Sequence, residues 1–257
     1  METTAHDGRE TAYRHTRPEA DGHTALYVHG SGATHAVWGH QYGPSGPTHP
    51  AAALDLSGHG ESDDVDAGPA GAIDAYTADV AAVARAVDAD VLVGNSLGGA
   101  VVQRAATELD LALSALVLLG TGPTLPVFEG LREWLESDFD RAVEFLHGRD
   151  RLFHDTGADT LARSRSQMRA VGQRVTRRDF LACHGFDGRD RLTDIDLPTL
   201  AVCGEHDRLT PRAYHEDLAA SISRGEFALV PDAAHLAMVE HPAAFNEAVE
   251  SFLDSLA

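Results

Sequence analysis

The chain has 257 residues, 43% of them hydrophobic, which suits one globular α/β unit carrying a modest insertion. Its 20 basic residues are all arginine and face 40 acidic ones, a formal net charge of −20, and no basic stripe with interleaved aromatics occurs, so a nucleic-acid partner is excluded. No apolar run reaches the roughly eighteen residues a membrane span needs, and no secretory leader pattern opens the chain, so no membrane contact and a cytoplasmic location are expected.

In chain order, Thr3 to His6 and Arg9 to Thr16 are split by Asp7-Gly8, a pair suited to a type I′ turn, and predict an antiparallel edge hairpin. Six compact apolar runs follow: Ala25 to Val28, Ala51 to Leu54, Asp90 to Val93, Ala115 to Leu119, Thr199 to Cys203 and Phe227 to Val230. Their small and β-branched residues predict mostly buried parallel strands. Between them Ile73 to Val87, Leu97 to Leu109, Arg212 to Ile222 and Ala243 to Leu256 have helical spacing. Pro211 and Pro242 suit first helical positions, with Thr210 an N-cap before the former. This alternation is the βαβ pattern of a parallel sheet.

The segment from Gly122 to Asp190 interrupts the alternation with no convincing strand, and helical patterns recur at Glu129 to Leu146 and Ala158 to Val171. The expected organisation is a core from 1–121 and 191–257, with 122–190 a helical cap over the C-terminal edge of the sheet, where open α/β folds bind ligands. Its arginines at 163, 165, 169, 174, 177 and 178 read as solvated helix faces. Cys183 and Cys203 lack metal-ligand spacing and read as reduced, buried thiols. His35, His40 and His49 are irregularly spaced with no interleaved carboxylate, so no metal site is expected.

Gly94-Asn95-Ser96-Leu97-Gly98 is a G-x-S-x-G sequence lying directly after one apolar run and before a helix. With 24 glycines and 13 serines the pentapeptide alone would arise in about one chain of this composition in ten, so its placement carries the weight. A nucleophile on such a turn sits in a strained conformation that only tiny residues at Gly94 and Gly98 permit. The helix that follows aims free N–H groups at the reacting oxygen, which makes the Leu97 amide one oxyanion donor. His29-Gly30-Ser31-Gly32 follows Leu26-Tyr27-Val28 and offers the Ser31 amide as the second, with His29 and Gly30 as structural support.

Fifteen histidines compete as the base, and His235 is favoured because it follows the last strand on the same edge as Ser96. His241 reads as a helix cap and His206 as solvated. Asp207, shortly after the Thr199 to Cys203 run, is the expected acid that fixes the histidine tautomer, with Glu205 its nearest rival. Ser96, Asp207, His235 is the chain order expected of a nucleophile-elbow hydrolase.

Five ordered stretches now bear comparison with a known family: His29-Gly30-Ser31-Gly32, Asp55-Leu56-Ser57-Gly58-His59-Gly60-Glu61-Ser62, the Ser96 elbow, Gly204-Glu205-His206-Asp207 and Ala234-His235. Through them the sequence resembles the α/β-hydrolase superfamily over nearly its whole length, departing from it at Ala234, where members often have glycine. The resemblance implies an eight-stranded, mostly parallel sheet flanked by helices, and structural roles for Asp55, His59 and Ser62. The elbow is similar to those of carboxylesterases and of the C–C bond hydrolases of aromatic ring cleavage. A serine at 96 argues against haloalkane dehalogenases and epoxide hydrolases. The activity implied is hydrolysis of a small carboxylic ester through an acyl-enzyme, with no cofactor. C–C bond hydrolysis, cofactor-free perhydrolysis and non-catalytic small-molecule binding remain alternatives. The lysine-free acidic composition resembles proteins of halophilic archaea, though coding bias toward arginine yields the same pattern.

Overall fold

The computed structural model describes residues 1–256; Ala257, the last residue of the expected core range, lies outside them. Eight strands form one sheet: β1 (Glu2–His6), β2 (Arg9–Thr16), β3 (Ala25–Val28), β4 (Ala51–Leu54), β5 (Val91–Asn95), β6 (Ala115–Leu119), β7 (Thr199–Gly204) and β8 (Gly225–Val230), in the spatial order β1-β2-β4-β3-β5-β6-β7-β8. The first two strands are joined through Asp7 and Gly8, both at positive φ as a type I′ turn demands, and β2 runs antiparallel to β4. All other pairings are parallel. Strands β3 to β7 are buried on both faces, which is why they read as continuous apolar runs. The expectation of burial fails for β8, an edge strand in which only Val230 is buried.

The connections carry α1 (Gly39–Tyr42), α2 (Pro69–Ala86), α3 (Leu97–Glu108), α4 (Glu129–Ser137), α5 (Phe139–Leu146), α6 (Ala158–Val171), α7 (Gln173–Gly185), α8 (Arg212–Ser221), α9 (Ala237–Glu240) and α10 (Pro242–Asp254). Alternate strand residues feed two apolar layers. Leu26, Leu92, Leu116 and Leu118 pack with Ile73, Tyr76 and Val80 of α2 and Val101 of α3. Tyr27, Val93 and Leu119 face the other way, toward Trp38 and the Phe245, Val249 and Phe252 stripe of α10. Trp38 sits between Tyr27 and Phe245 at centroid distances of 5.1 and 6.0 Å, and such pairs contribute about 0.5–1.5 kcal/mol each beyond their buried area.

Between β6 and β7 the sequence pattern of one helix over Glu129 to Leu146 resolves into two. Asp138, at φ −150° and ψ 73°, breaks the run, and its carboxylate accepts the Arg141 N–H to cap α5. Helix α7 was not anticipated, because its arginine-rich start lacks a clear apolar stripe. Leu131, Leu135, Val143, Leu146 and Met168 of this segment join the Tyr27–Trp38 layer.

Candidate active site

The end of β5 builds the elbow. Ser96 takes φ 55° and ψ −116°, a left-handed conformation costly for any side chain, at the junction of β5 and α3. A Cβ on Gly94 would run into the Gly98 carbonyl, and one on Gly98 into the Val28 carbonyl, so the crossing of strand and helix requires glycine at both places. The Ser96 N–H donates to Leu119 O at 2.9 Å, Thr121 Oγ1 donates to Ser96 O at 2.9 Å, and Asn95 Nδ2 reaches the carbonyls of Leu119 and His235. The strained turn is thus held by the neighbouring strand end. Leu97 opens α3, where its own N–H precedes the first helical acceptor, Ser96 O, which takes the Gly99 N–H at 2.9 Å.

Asp207 and His235 come together after β7 and β8, whose ends are paired at Gly204 and Val230. His235 Nδ1 donates to Asp207 Oδ2 at 2.8 Å, and both side chains are buried. Asp207 also accepts the N–H groups of Leu209 and Thr210 on Oδ1, at 2.8 and 2.9 Å, and the Thr210 hydroxyl on Oδ2 at 2.7 Å. Burial pushes this carboxyl upward, but the His235 charge and these donors outweigh it and hold it below the ordinary carboxylate range. With Nδ1 directed at the carboxylate, Nε2 is the His235 nitrogen left for another partner. Thr210 therefore does not cap α8 as expected; Pro211 occupies the cap position, and the threonine hydroxyl serves Asp207 instead. Glu205 is exposed and accepts the Asp232 N–H, away from the histidine.

The loop after β3 lies against the elbow. A Cβ on Gly30 would stand 3.1 Å from Ser96 Cβ, so the residue before Ser31 needs to be small. His29 is fully buried, donating from Nδ1 to Gly30 O at 2.8 Å and accepting the Leu56 N–H on Nε2 at 3.1 Å. Burial, and next the charge of His59, push it down to about 4. Asp55 accepts both the N–H and Nδ1 of His35 and the Glu61 N–H, while Ser62 donates to the Asp55 carbonyl at 2.6 Å. His59 Nε2 donates to Asp179 Oδ2 at 2.9 Å. His241 precedes α10 without a side-chain cap bond and donates from Nε2 to Asp232 O at 3.1 Å. His206 is half-buried rather than solvated, stacked on His154 at 3.6 Å.

Ser31, Ser96 and His235 line one cavity of about 270 Å³, whose walls include Val37, Leu131, Phe145, Met168, Phe180 and Leu236. Among the described residues no hydrogen bond joins Ser96 Oγ to His235. A larger groove of about 560 Å³ between α2, α3 and α7 contains neither serine nor histidine. Ligand atoms of Asp150, His154 and His206 lie within 4.8 Å of one another, but Asp150 is already held by His154 at 2.7 Å and Arg208 at 3.0 Å. No helix among the described residues is long and apolar enough to cross a membrane.

Residues 25–248 match the alpha/beta hydrolase family. The chain belongs to that family. It is a hydrolase, and its relatives bear this out. The pimeloyl-[acyl-carrier protein] methyl ester esterase of Salmonella paratyphi A is 27% identical over 260 aligned positions, covering 94% of this chain and 97% of that one. A thermophilic esterase of known structure is 30% identical, with a TM-score of 0.87 over 99% of this hydrolase and 97% of its own chain. The enol-lactonase of Burkholderia xenovorans LB400 shares the fold alone, at 21% identity and a TM-score of 0.86 over 98% of this chain and 100% of that one.

The parts that five residues play around the site escaped sequence reading. Arg151 and Leu152 accept, through their carbonyls, the N–H groups of His235 and Leu236, so the segment between β6 and β7 buttresses the histidine loop. Backbone partners of this kind leave no side-chain signature. Thr210 had one, the D-x-x-T spacing of an Asp accepting bonds from the residues after it. Arg178 and Asp179, two more charges in an acidic chain, are buried among the loops.

Proposed function

We propose that this hydrolase cleaves a small carboxylic ester through a Ser96 acyl-enzyme. Ser96 Oγ attacks the carbonyl carbon and passes its proton to His235 Nε2, while Asp207 steadies the imidazolium. The Ser31 and Leu97 amides hold the resulting oxyanion. Collapse expels the alcohol, which takes the proton from His235; water activated by the same nitrogen then releases the acid. The observation that carries this reading is the buried 2.8 Å Asp207–His235 bond opening on the cavity where Ser96 stands at positive φ.

The two esterases among the relatives support ester cleavage, and the chemistry asks for no cofactor. The apolar walls and the cavity's size favour an uncharged acyl group of modest length as the partner molecule. Residues 122–190 would act as its lid, excluding water as the acyl-enzyme forms. Ester cleavage is preferred over C–C hydrolysis because none of the six arginines at 163, 165, 169, 174, 177 and 178 lines the cavity where a dienoate carboxylate would need gripping, and the two arginines that do line it are engaged elsewhere, Arg151 by Phe145 O at 2.9 Å and Arg208 by Asp150 at 3.0 Å. Arg165 and Arg169 pair with Glu144 instead.

A fluorophosphonate probe tests the assignment: it labels the wild-type chain and not Ser96→Ala, and p-nitrophenyl ester turnover disappears with the label. Equal labelling of the two would overturn it.

A further inference from the structure

Asp179 belongs to α7, in the segment outside the alternating core, yet it is fully buried. It collects donors from three separate stretches of the core. Oδ2 accepts the Gly32 N–H at 3.1 Å and His59 Nε2 at 2.9 Å, and Oδ1 accepts the Tyr76 hydroxyl of α2 at 2.6 Å. Arg178 beside it completes the network, donating from Nε to Tyr76 Oη at 3.0 Å, from one terminal nitrogen to Ser57 O at 2.9 Å and from the other to Asp64 at 2.8 Å. One turn on, Cys183 Sγ lies 3.7 Å from Ser31 Oγ. Helix α7 therefore touches two successive residues of the loop after β3.

A buried ion network is a poor way merely to seat a helix, since apolar residues of the same volume do that as well or better. What it supplies is direction. Gly32 N–H lies in the Ser31–Gly32 peptide, one α-carbon from the Gly30–Ser31 peptide that carries the Ser31 N–H. Fixing the first plane restricts the second. We infer that Asp179 is a positioning residue for catalysis, setting through Gly32 the direction of the Ser31 amide, so that the oxyanion site is assembled only while α7 is seated. This rests on the acyl-enzyme reading above.

The test uses the full chain, p-nitrophenyl ester kinetics, thermal melts and a trifluoromethyl ketone, whose adduct places an anionic oxygen where the oxyanion forms. Asp179→Asn keeps the volume and removes the charge. It is expected to lower kcat roughly 10- to 100-fold, weaken the ketone by the same factor and leave KM within about threefold. Tyr76→Phe removes one donor and moves both quantities in the same direction, by about three- to tenfold. A purely architectural Asp179 would lower the melting temperature while the folded variant kept its kcat and ketone affinity, and that result overturns the inference. Should Asp179→Asn fail to fold, unchanged kcat and ketone affinity in Tyr76→Phe overturn it equally. Full turnover by Ser96→Ala would overturn the acyl-enzyme reading itself, whereas an inactive Ser96→Ala beside an unimpaired Asp179→Asn removes the positioning role alone.

Discussion

Two aspartate–histidine pairs with both partners buried lie among the described residues, Asp207–His235 at 2.8 Å and Asp179–His59 at 2.9 Å, and only the first has a ring that lines the cavity with Ser96. The difference lies in the far side of each ring. His235 is held through Nδ1, on a loop that lines the cavity with Ser96, so its Nε2 is available to a reacting group. His59 is held through Nε2, and its Nδ1 faces the carbonyls of Leu56 and Ser57, both at 3.3 Å. With acceptors on both sides, that ring is suited to stay charged. Burial pushes its pKa down, but the Asp179 charge and hydrogen bond outweigh this and raise it. In the proposed mechanism the first pair moves a proton, whereas the second is built to keep one.

The largest effect that could break this contrast is Asp207→Asn, expected to lower kcat by roughly three to four orders of magnitude with little change in melting temperature. Glu205→Gln, measured beside it, should stay within about twofold, since the exposed Glu205 carboxylate accepts the Asp232 N–H and no bond from His235. Damage confined to the Glu205 variant would reassign the acid. His59→Gln should show the reverse balance. It leaves a buried carboxylate short of its cationic partner, so denaturant melts should report a loss of about 3–5 kcal/mol, while kcat falls far less than in Asp207→Asn.

A smaller effect separates the buried neutral histidines from His59. His29 and His215 are held down to about 4, in each case chiefly by burial, against 6.5 in the unfolded chain. The unfolded chain thus takes up protons first, and their stability is present above pH 6.5 and lost as the pH falls from 6.5 toward 4. His59, with its raised pKa, contributes in the other direction: its share is complete below 6.5 and declines as the pH rises through its folded value. Melting curves across that range, with His215→Gln flattening the acid side, measure the balance; an acid slope unchanged in that variant would exclude His215 from it.

Most of this hydrolase was legible where one residue type answers one local demand. Strands β3 to β7 declared themselves by burial on both faces, and the elbow by two glycines flanking Ser96. β5 runs two residues past its apolar stretch because Gly94 and Asn95 still pair with Leu118 and Leu119. Long-range demands were not legible. Asp179 is one of 25 aspartates, and nothing near it in the chain announces Gly32, His59 or Tyr76. Arg178, read as a solvated charge, is 5% exposed because Asp64 and Tyr76 meet it from other elements. The split at Asp138 depends on one backbone conformation that a helical pattern does not record.

The chain has two tryptophans, and the fold divides them. Trp38 is fully enclosed between Tyr27 and Phe245 in the core layer, whereas Trp134 stands on α4 with Phe128 and Phe145 beside it and the Arg141 guanidinium 4.3 Å above its ring. Their surroundings differ enough for emission to tell them apart. With Trp38 replaced by phenylalanine, the remaining indole becomes a fluorescent reporter on α4 alone, able to show without an added dye whether the proposed lid moves during turnover.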